Sequence, residues 1–213
     1  MRRTGHQVQG PILLVVMGMS ASGKSHIGQL LNRELAHQQG LVVTFVEGDD
    51  FHSKACVAQM HRGQGLSDAQ RWPWLEAIRD HCAAIVSSDI VSHTAIVAHR
   101  NRHVVILACS LLKQCYRDYI RELATNASTT ADGQHVGVYG RAMLVYLNCS
   151  RQELVRRAQS RPHHFANDSL LQSQFDALES PNPKTEEDVV VVDGDQRDMA
   201  IVSSILDKFQ AIY

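Results

Sequence analysis

The chain has 213 residues, 44% of them hydrophobic and 20% charged, with a formal net charge of −1. That length suits one domain with a substantial core, and the near-neutral balance argues against a general nucleic-acid binder, which carries a basic surplus. The five cysteines, Cys56, Cys82, Cys109, Cys115 and Cys149, form no C-x-x-C pair, and no signal peptide or membrane span is recognisable, so a reduced, cytoplasmic protein with no membrane partner is expected.

The first apolar run, Ile12-Leu13-Leu14-Val15-Val16-Met17, reads as a buried strand. Directly after it stands Gly18-Met19-Ser20-Ala21-Ser22-Gly23-Lys24-Ser25, a complete G-x-x-x-x-G-K-[ST] phosphate loop between a strand and a helix. Its glycines let the backbone curl so that successive N–H groups point at phosphate oxygens. Lys24 is placed to reach the β- and γ-phosphates and Ser25 to ligate Mg²⁺. The helix beginning near Lys24 adds its positive end to the site. The nucleotide contacts assigned here are Gly18, Ser20, Ala21, Ser22, Gly23, Lys24, Ser25 and His26.

Ile27, Leu30, Leu31 and Leu35 share one face of that helix, and Gly40 ends it. Leu41 to Val46 reads as a second strand, running into Glu47-Gly48-Asp49-Asp50-Phe51-His52. Glu47 and Asp49 alternate by two and so point the same way from an extended backbone. Asp49 is assigned to accept a proton from an attacking hydroxyl, and Glu47 to the Mg²⁺ shell through water. Ser67 or Asp68 is placed to cap a following helix, with Arg71 near its start, and Trp74 to Val86 is helical. His93, His99 and His103 match no zinc spacing.

Val104 to Ala108 forms a third strand, and Leu111 to Leu123 is expected to be helical. Lys113 and Arg117, four apart, would share a face able to hold a carboxylate. Thr125 to Gly140 is polar and reads as a surface insertion. Ala142 to Leu147 and Val189 to Val192 complete the strands, and a last helix spans about Met199 to Phe209. Between those strands, residues 151–174 form a basic helix-loop-helix carrying Arg156, Arg157, Arg161, His163 and His164, which reads as a lid over the phosphates. Near-continuous apolar strands alternating with helices imply an α/β architecture in three layers. The sheet is parallel and five-stranded, helices cover both faces, and ligands sit at the strands' carboxyl ends.

Several segments together resemble the gluconate kinases: Gly18–Ser25; Gly48-Asp49-Asp50-Phe51-His52; Asp68-x-x-Arg71-x-Pro73-Trp74-Leu75; and Cys109-Ser110-x-Leu112-Lys113-x-x-Tyr116-Arg117-Asp118. Arg161-x-x-His164-Phe165 and Gln174-Phe175-Asp176-x-Leu178-x-x-Pro181 are similar to that family's lid and its exit helix. The resemblance implies a P-loop kinase fold like that of nucleoside monophosphate kinases. It also implies ATP and Mg²⁺ as cofactors, and a D-gluconate substrate phosphorylated at its 6-hydroxyl to feed the pentose phosphate route. The family is often homodimeric. By the same resemblance Lys24, Asp49 and Arg157 are catalytic, Arg157 and Arg161 lie near ATP, and His52, Arg71, Lys113, Arg117 and His164 join Asp49 in meeting the substrate.

The chain departs from the family's usual residues in places. Glu47 stands for Asp, Cys56 for Asn, Gln59 for Lys, Gly65 for Pro, Gln70 for an acid, Leu111 for Ala and Ala21 for Gly. Two other readings are a same-fold kinase for another sugar acid or shikimate, and a non-catalytic nucleotide-binding protein. A GTP switch would carry an N-K-x-D motif, which is absent.

Overall fold

The computed structural model describes residues 10–92, 102–125, 128–129, 135–136, 138–160 and 168–212. The elements run β1 (Ile12–Met17), α1 (Lys24–Ala36), β2 (Leu41–Glu47), a 3₁₀ turn (Gly48–Phe51), α2 (Lys54–His61) and α3 (Asp68–Ser92). They continue with β3 (Arg102–Ala108), α4 (Gln114–Thr125), β4 (Ser128–Thr129), β5 (His135–Val136) and β6 (Arg141–Asn148). The last are α5 (Arg151–Gln159), α6 (Asp168–Ala177), β7 (Val189–Asp193) and α7 (Asp198–Ile212).

The main sheet has five strands in the order β2-β3-β1-β6-β7, every pair parallel. β1 lies at its centre and is buried along its whole length. Successive side chains point to opposite faces, and each face finds its own layer. Leu13, Val15 and Met17 pack under α3 and α4, against Trp74, Leu75, Ile78, Tyr116 and Ile120. Ile12, Leu14 and Val16 pack under α1 and α7, against Ile27, Leu31, Ile201 and Ile205. Each such side chain contributes roughly 1.5–3 kcal/mol. This explains why the central strands read as unbroken apolar runs. Among the described residues, no helix is long and apolar enough to cross a membrane.

One helix start agrees with the sequence-based expectation and one differs from it. α3 begins at Asp68, where a cap at Ser67 or Asp68 is expected, and a reciprocal cap nucleates it. The Ser67 carbonyl accepts from the N–H groups of Gln70 and Arg71 at 3.1 Å, while Gln70 Oε1 accepts from the Ser67 N–H at 2.9 Å. Pro73 falls within the helix. α4 begins at Gln114 rather than Leu111, because Leu111 takes the left-handed conformation at φ 41 and cannot continue a helix. Of the expected insertion, the described part includes the short antiparallel pair β4–β5.

The buried charge network explains the cost of that turn. Arg117 is 1% exposed and fully engaged. Its Nε and Nη2 donate to the two oxygens of Glu186 at 2.8 and 2.9 Å, and its Nη1 donates to the carbonyls of Leu111, Leu112 and Glu179. Arg121 adds donors to Glu186 and Asp188. Burial pushes the Glu186 carboxyl up, but hydrogen bonds from Arg117 and Arg121 outweigh it and hold the group at about 2.

Glu186→Gln should therefore lower stability by about 3 kcal/mol at neutral pH, measured by denaturant unfolding. The sign with pH follows from linkage. The Glu186 contribution is fully present above the ordinary carboxylate value of 4.5 and is lost as pH falls toward about 2. The variant should lack that acid limb.

Candidate active site

β1 delivers the phosphate loop at the carboxyl edge of the sheet, beside the end of β3 and one strand from that of β2. Gly18 (φ 156), Ala21 (φ 65) and Gly23 (φ 91) supply the positive-φ positions that curl the backbone. A Cβ on Gly18 would stand 2.8 Å from Ser22 Oγ, so only glycine fits there. Ala21 holds a left-handed conformation that costs about 1 kcal/mol. Its methyl offsets this by packing with Met19, Leu112, Leu154 and Leu171. Ser22 Oγ is buried without a protein partner, as suits a loop shaped to close around phosphate.

Lys24 is 7% exposed, and its Nζ lies 4.0 Å from Asp49 Oδ2. Asp49 Oδ1 lies in turn 4.0 Å from His52 Nε2. The turn carrying both is pinned from below. Trp74 Nε1 donates to the Gly48 carbonyl at 2.7 Å, and the same indole stacks on the His52 ring at 4.3 Å and 12°. The residues after Glu47 form a 3₁₀ turn, so the expected alternation of Glu47 and Asp49 along a strand does not hold. Glu47 instead caps the turn, accepting from the Asp49 N–H. Burial raises the Glu47 carboxyl, and hydrogen bonding from Ser25 partly opposes this. Glu47 and Ser25 are thus adjacent, a donor pair suited to Mg²⁺, which takes few protein oxygens and keeps several waters. Among the described residues, no cluster of three or more His, Cys, Asp or Glu forms an all-protein metal cage.

The strand ends open into a cleft of about 460 Å³ including its mouth, where Lys24, Asp49, His52, Arg71 and Trp74 face Ser20 and Gln174. Not every expected residue reaches it. Arg117 does not: its donors are consumed by Glu186 and three carbonyls deep in the protein, so it shapes the wall instead of holding a carboxylate. Lys113 precedes α4, so it and Arg117 do not share a helix face. Its ammonium holds Asp68 at 2.7 Å, and Tyr116 donates to the same carboxylate. Those two hydrogen bonds, Lys113's first, hold Asp68 below the usual carboxylate range. Arg157 braces the outside of the phosphate loop, donating to the carbonyls of Ser22 at 3.1 Å and Gly194 at 2.9 Å. His26 is exposed and lies 2.9 Å from Asp198. Arg161 and His164 lie outside the described residues.

The geometry matches a set of known proteins. A family profile described as "AAA domain" covers residues 13–181. The thermoresistant gluconokinase of Escherichia coli is 32% identical over 92% of this chain and 91% of its own. The gluconokinase of Gluconobacter oxydans is 32% identical over 98% of both chains. The chain belongs to the gluconokinase family. A crystal structure of a gluconokinase from Sinorhizobium meliloti superposes with a TM-score of 0.67 at 31% identity, covering 97% of this chain and 95% of that one. An APS kinase from Mycobacterium tuberculosis shares the fold, with a TM-score of 0.56 at 17% identity.

Against that family, two departures prove to be one. Gln70 Nε2 donates to Gln59 Oε1 at 2.8 Å, so a neutral amide pair spans the positions where the family favours Lys and an acid. Gly65 is explained by close approach, since a Cβ there would stand 2.6 Å from Ser173 Oγ on α6. Residue-by-residue reading passed over Gln174, whose amide grips the phosphate loop. Its only sequence signal was its place in the exit-helix segment.

His52 titrates below its ordinary value of 6.5, through burial first and then the positive charges of Arg71 and Lys24, with Asp49 opposing. Between the two values the unfolded chain binds more protons, so stability should fall as pH drops below about 6.5. His52→Phe keeps the stack on Trp74 and should lose this part of the pH dependence. Unfolding midpoints of both proteins from about pH 7.5 to about pH 5 measure it.

Proposed function

We propose that this gluconokinase-family chain transfers the γ-phosphoryl group of Mg²⁺·ATP to the 6-hydroxyl of D-gluconate, giving 6-phosphogluconate. The observation that carries the reading is the line Lys24–Asp49–His52 at the carboxyl ends of β1 and β2, on either side of β3. It sets a cation, a carboxylate and a polar ring along one cleft with Arg71. On this reading Asp49 orients the 6-hydroxyl and accepts its proton as the oxygen attacks the phosphorus in line. Lys24 neutralises charge on the transferred group. Ser25 and, through water, Glu47 would hold a Mg²⁺, which would offset charge on the phosphates. His52 meets substrate hydroxyls, its buried Nδ1 having no partner within the protein. Arg71 meets the gluconate carboxylate by paired hydrogen bonds. Lys113 is held by Asp68 at the rim and meets that carboxylate only after parting from Asp68. α5 and α6, with the segment between them, act as a lid that excludes water, the competing nucleophile.

ADP release measured across D-gluconate, related aldonates, shikimate, glucose and no acceptor tests the substrate. Release with D-gluconate alone supports the reading. Release with another acid moves the specificity elsewhere, and no release at all leaves a nucleotide-binding protein. Asp49→Asn should lower kcat by about 10²- to 10⁴-fold while ATP binding, read by calorimetry, is retained. Near-normal turnover would remove Asp49 from the role of base.

A further inference from the structure

α6 touches both walls of the cleft. On the nucleotide side, Gln174 Oε1 accepts from the Ser20 main-chain N–H at 2.7 Å, and Gln174 Nε2 donates to Ser20 Oγ at 2.9 Å. Gln174 is 9% exposed, so these bonds are made out of water. Leu171 packs with Met19 and Ala21 of the same loop. On the acceptor side, Leu170, four residues before Gln174 and so on the same helix face, packs with Cys56, Met60 and Leu66. Ser173 sits against Gly65, close enough that a Cβ there would be 2.6 Å from its hydroxyl. Ser169 Oγ donates to the Gly63 carbonyl at 2.9 Å.

Main-chain N–H groups of a phosphate loop are what the phosphates bind. That of Ser20 is held by Gln174 instead, with the hydroxyl held by the same amide. Any shift of Ser20 toward an arriving γ-phosphate is therefore felt by a helix whose other contacts form the acceptor wall.

We propose that Gln174 is a positioning residue that couples nucleotide binding to acceptor binding, through its paired hydrogen bonds to Ser20 and the seat of α6 on Gly63 and Gly65. The proposal rests on the kinase reading above and adds to it a route of communication. Occupancy of the phosphate loop tightens the acceptor site, and by linkage the acceptor tightens the nucleotide by the same factor.

The test is calorimetric titration of the full chain with D-gluconate, with and without a saturating non-hydrolysable Mg²⁺·ATP analogue. In the unsubstituted protein the analogue should tighten gluconate binding by about fivefold or more. Gln174→Met keeps the volume and removes both hydrogen bonds. Its ratio, taken against its own gluconate affinity without nucleotide, should fall to about one. Gln174→Glu still accepts from both Ser20 groups and should retain the coupling. A merely structural Gln174 would lower the melting temperature of the Met variant and leave the ratio untouched, which overturns the proposal. A ratio of one in the unsubstituted chain also overturns it. Should Gln174→Met not fold, Ser20→Ala removes the hydroxyl half of the grip and should at least halve the ratio; an unchanged ratio there refutes the coupling. The acceptor panel keeps the two readings apart. If another acid is the substrate, that acid is titrated and the same ratios decide. If no acid is phosphorylated, the kinase reading and this proposal fall together.

Discussion

β1 is dry on both faces, and the rest of the structure depends on that constraint. A strand without a wet side must be flanked by strands and covered by helices on each face. The parallel order β2-β3-β1-β6-β7 is a solution that right-handed crossovers allow. The chain runs from β1 out to β2, back to β3 beside β1, and then across β1 to β6 and β7, so its direction reverses between β3 and β1. A crevice forms at the carboxyl ends where such a reversal occurs. The phosphate loop leaves β1 there, and the turn bearing Asp49 leaves β2 two strands away. Between them the end of β3 carries Ser110 and Leu112 into the cleft wall. The meeting of Lys24 and Asp49 follows from the sheet order and needs no interaction of its own.

What the sheet does not settle, a buried polar network does. The segment from Leu111 to Lys113 turns through a positive φ at Leu111. A leucine there has no side-chain reason to adopt it, and the conformation is held from outside. Arg117 binds the carbonyls of Leu111 and Leu112, and the Glu179 N–H donates to Leu112 at 2.9 Å. Glu186 neutralises the arginine so that it can remain buried. The loop that lines this part of the cleft is thus fixed by groups on α4 and on the chain before β7. None of them touches the cleft.

This separates what was legible in the sequence from what was not. The phosphate loop was readable because its chemistry is local: eight consecutive residues carry both the curl and the ligands. The strands were readable because burial on two faces leaves an unbroken apolar signature. Arg117 was misplaced because a charged residue four positions from a lysine suggests a shared solvent face. Only the partner Glu186, 69 residues away, reveals that it is buried. The start of α3 was readable because Ser67 and Asp68 are capping residues, and the Ser67–Gln70 hydrogen bonds that fix it lie within four residues. Gln174 was illegible in its role because a glutamine on an amphipathic helix is ordinary until its 154-residue-distant partner is known. In each case local chemistry could be read, and pairings between distant buried polar groups could not.

The departures beside the cleft can be weighed by the same physics. A lysine at 59 and an acid at 70 would meet across the gap that Gln59 and Gln70 now bridge. Both pairs are neutral overall, so the net charge at these two positions is the same in either case. The amide pair even preserves the mechanical link, since Gln59 Nε2 also donates to the Gly65 carbonyl at 2.7 Å and so ties α2 to the loop beneath α6. What changes is the dependence on salt. An ion pair weakens as ionic strength rises, whereas reciprocal amide bonds do not. Arg71, the residue after Gln70, lines the cleft beside this pair. The two substitutions alter how this wall of the cleft is fastened, without altering its net charge.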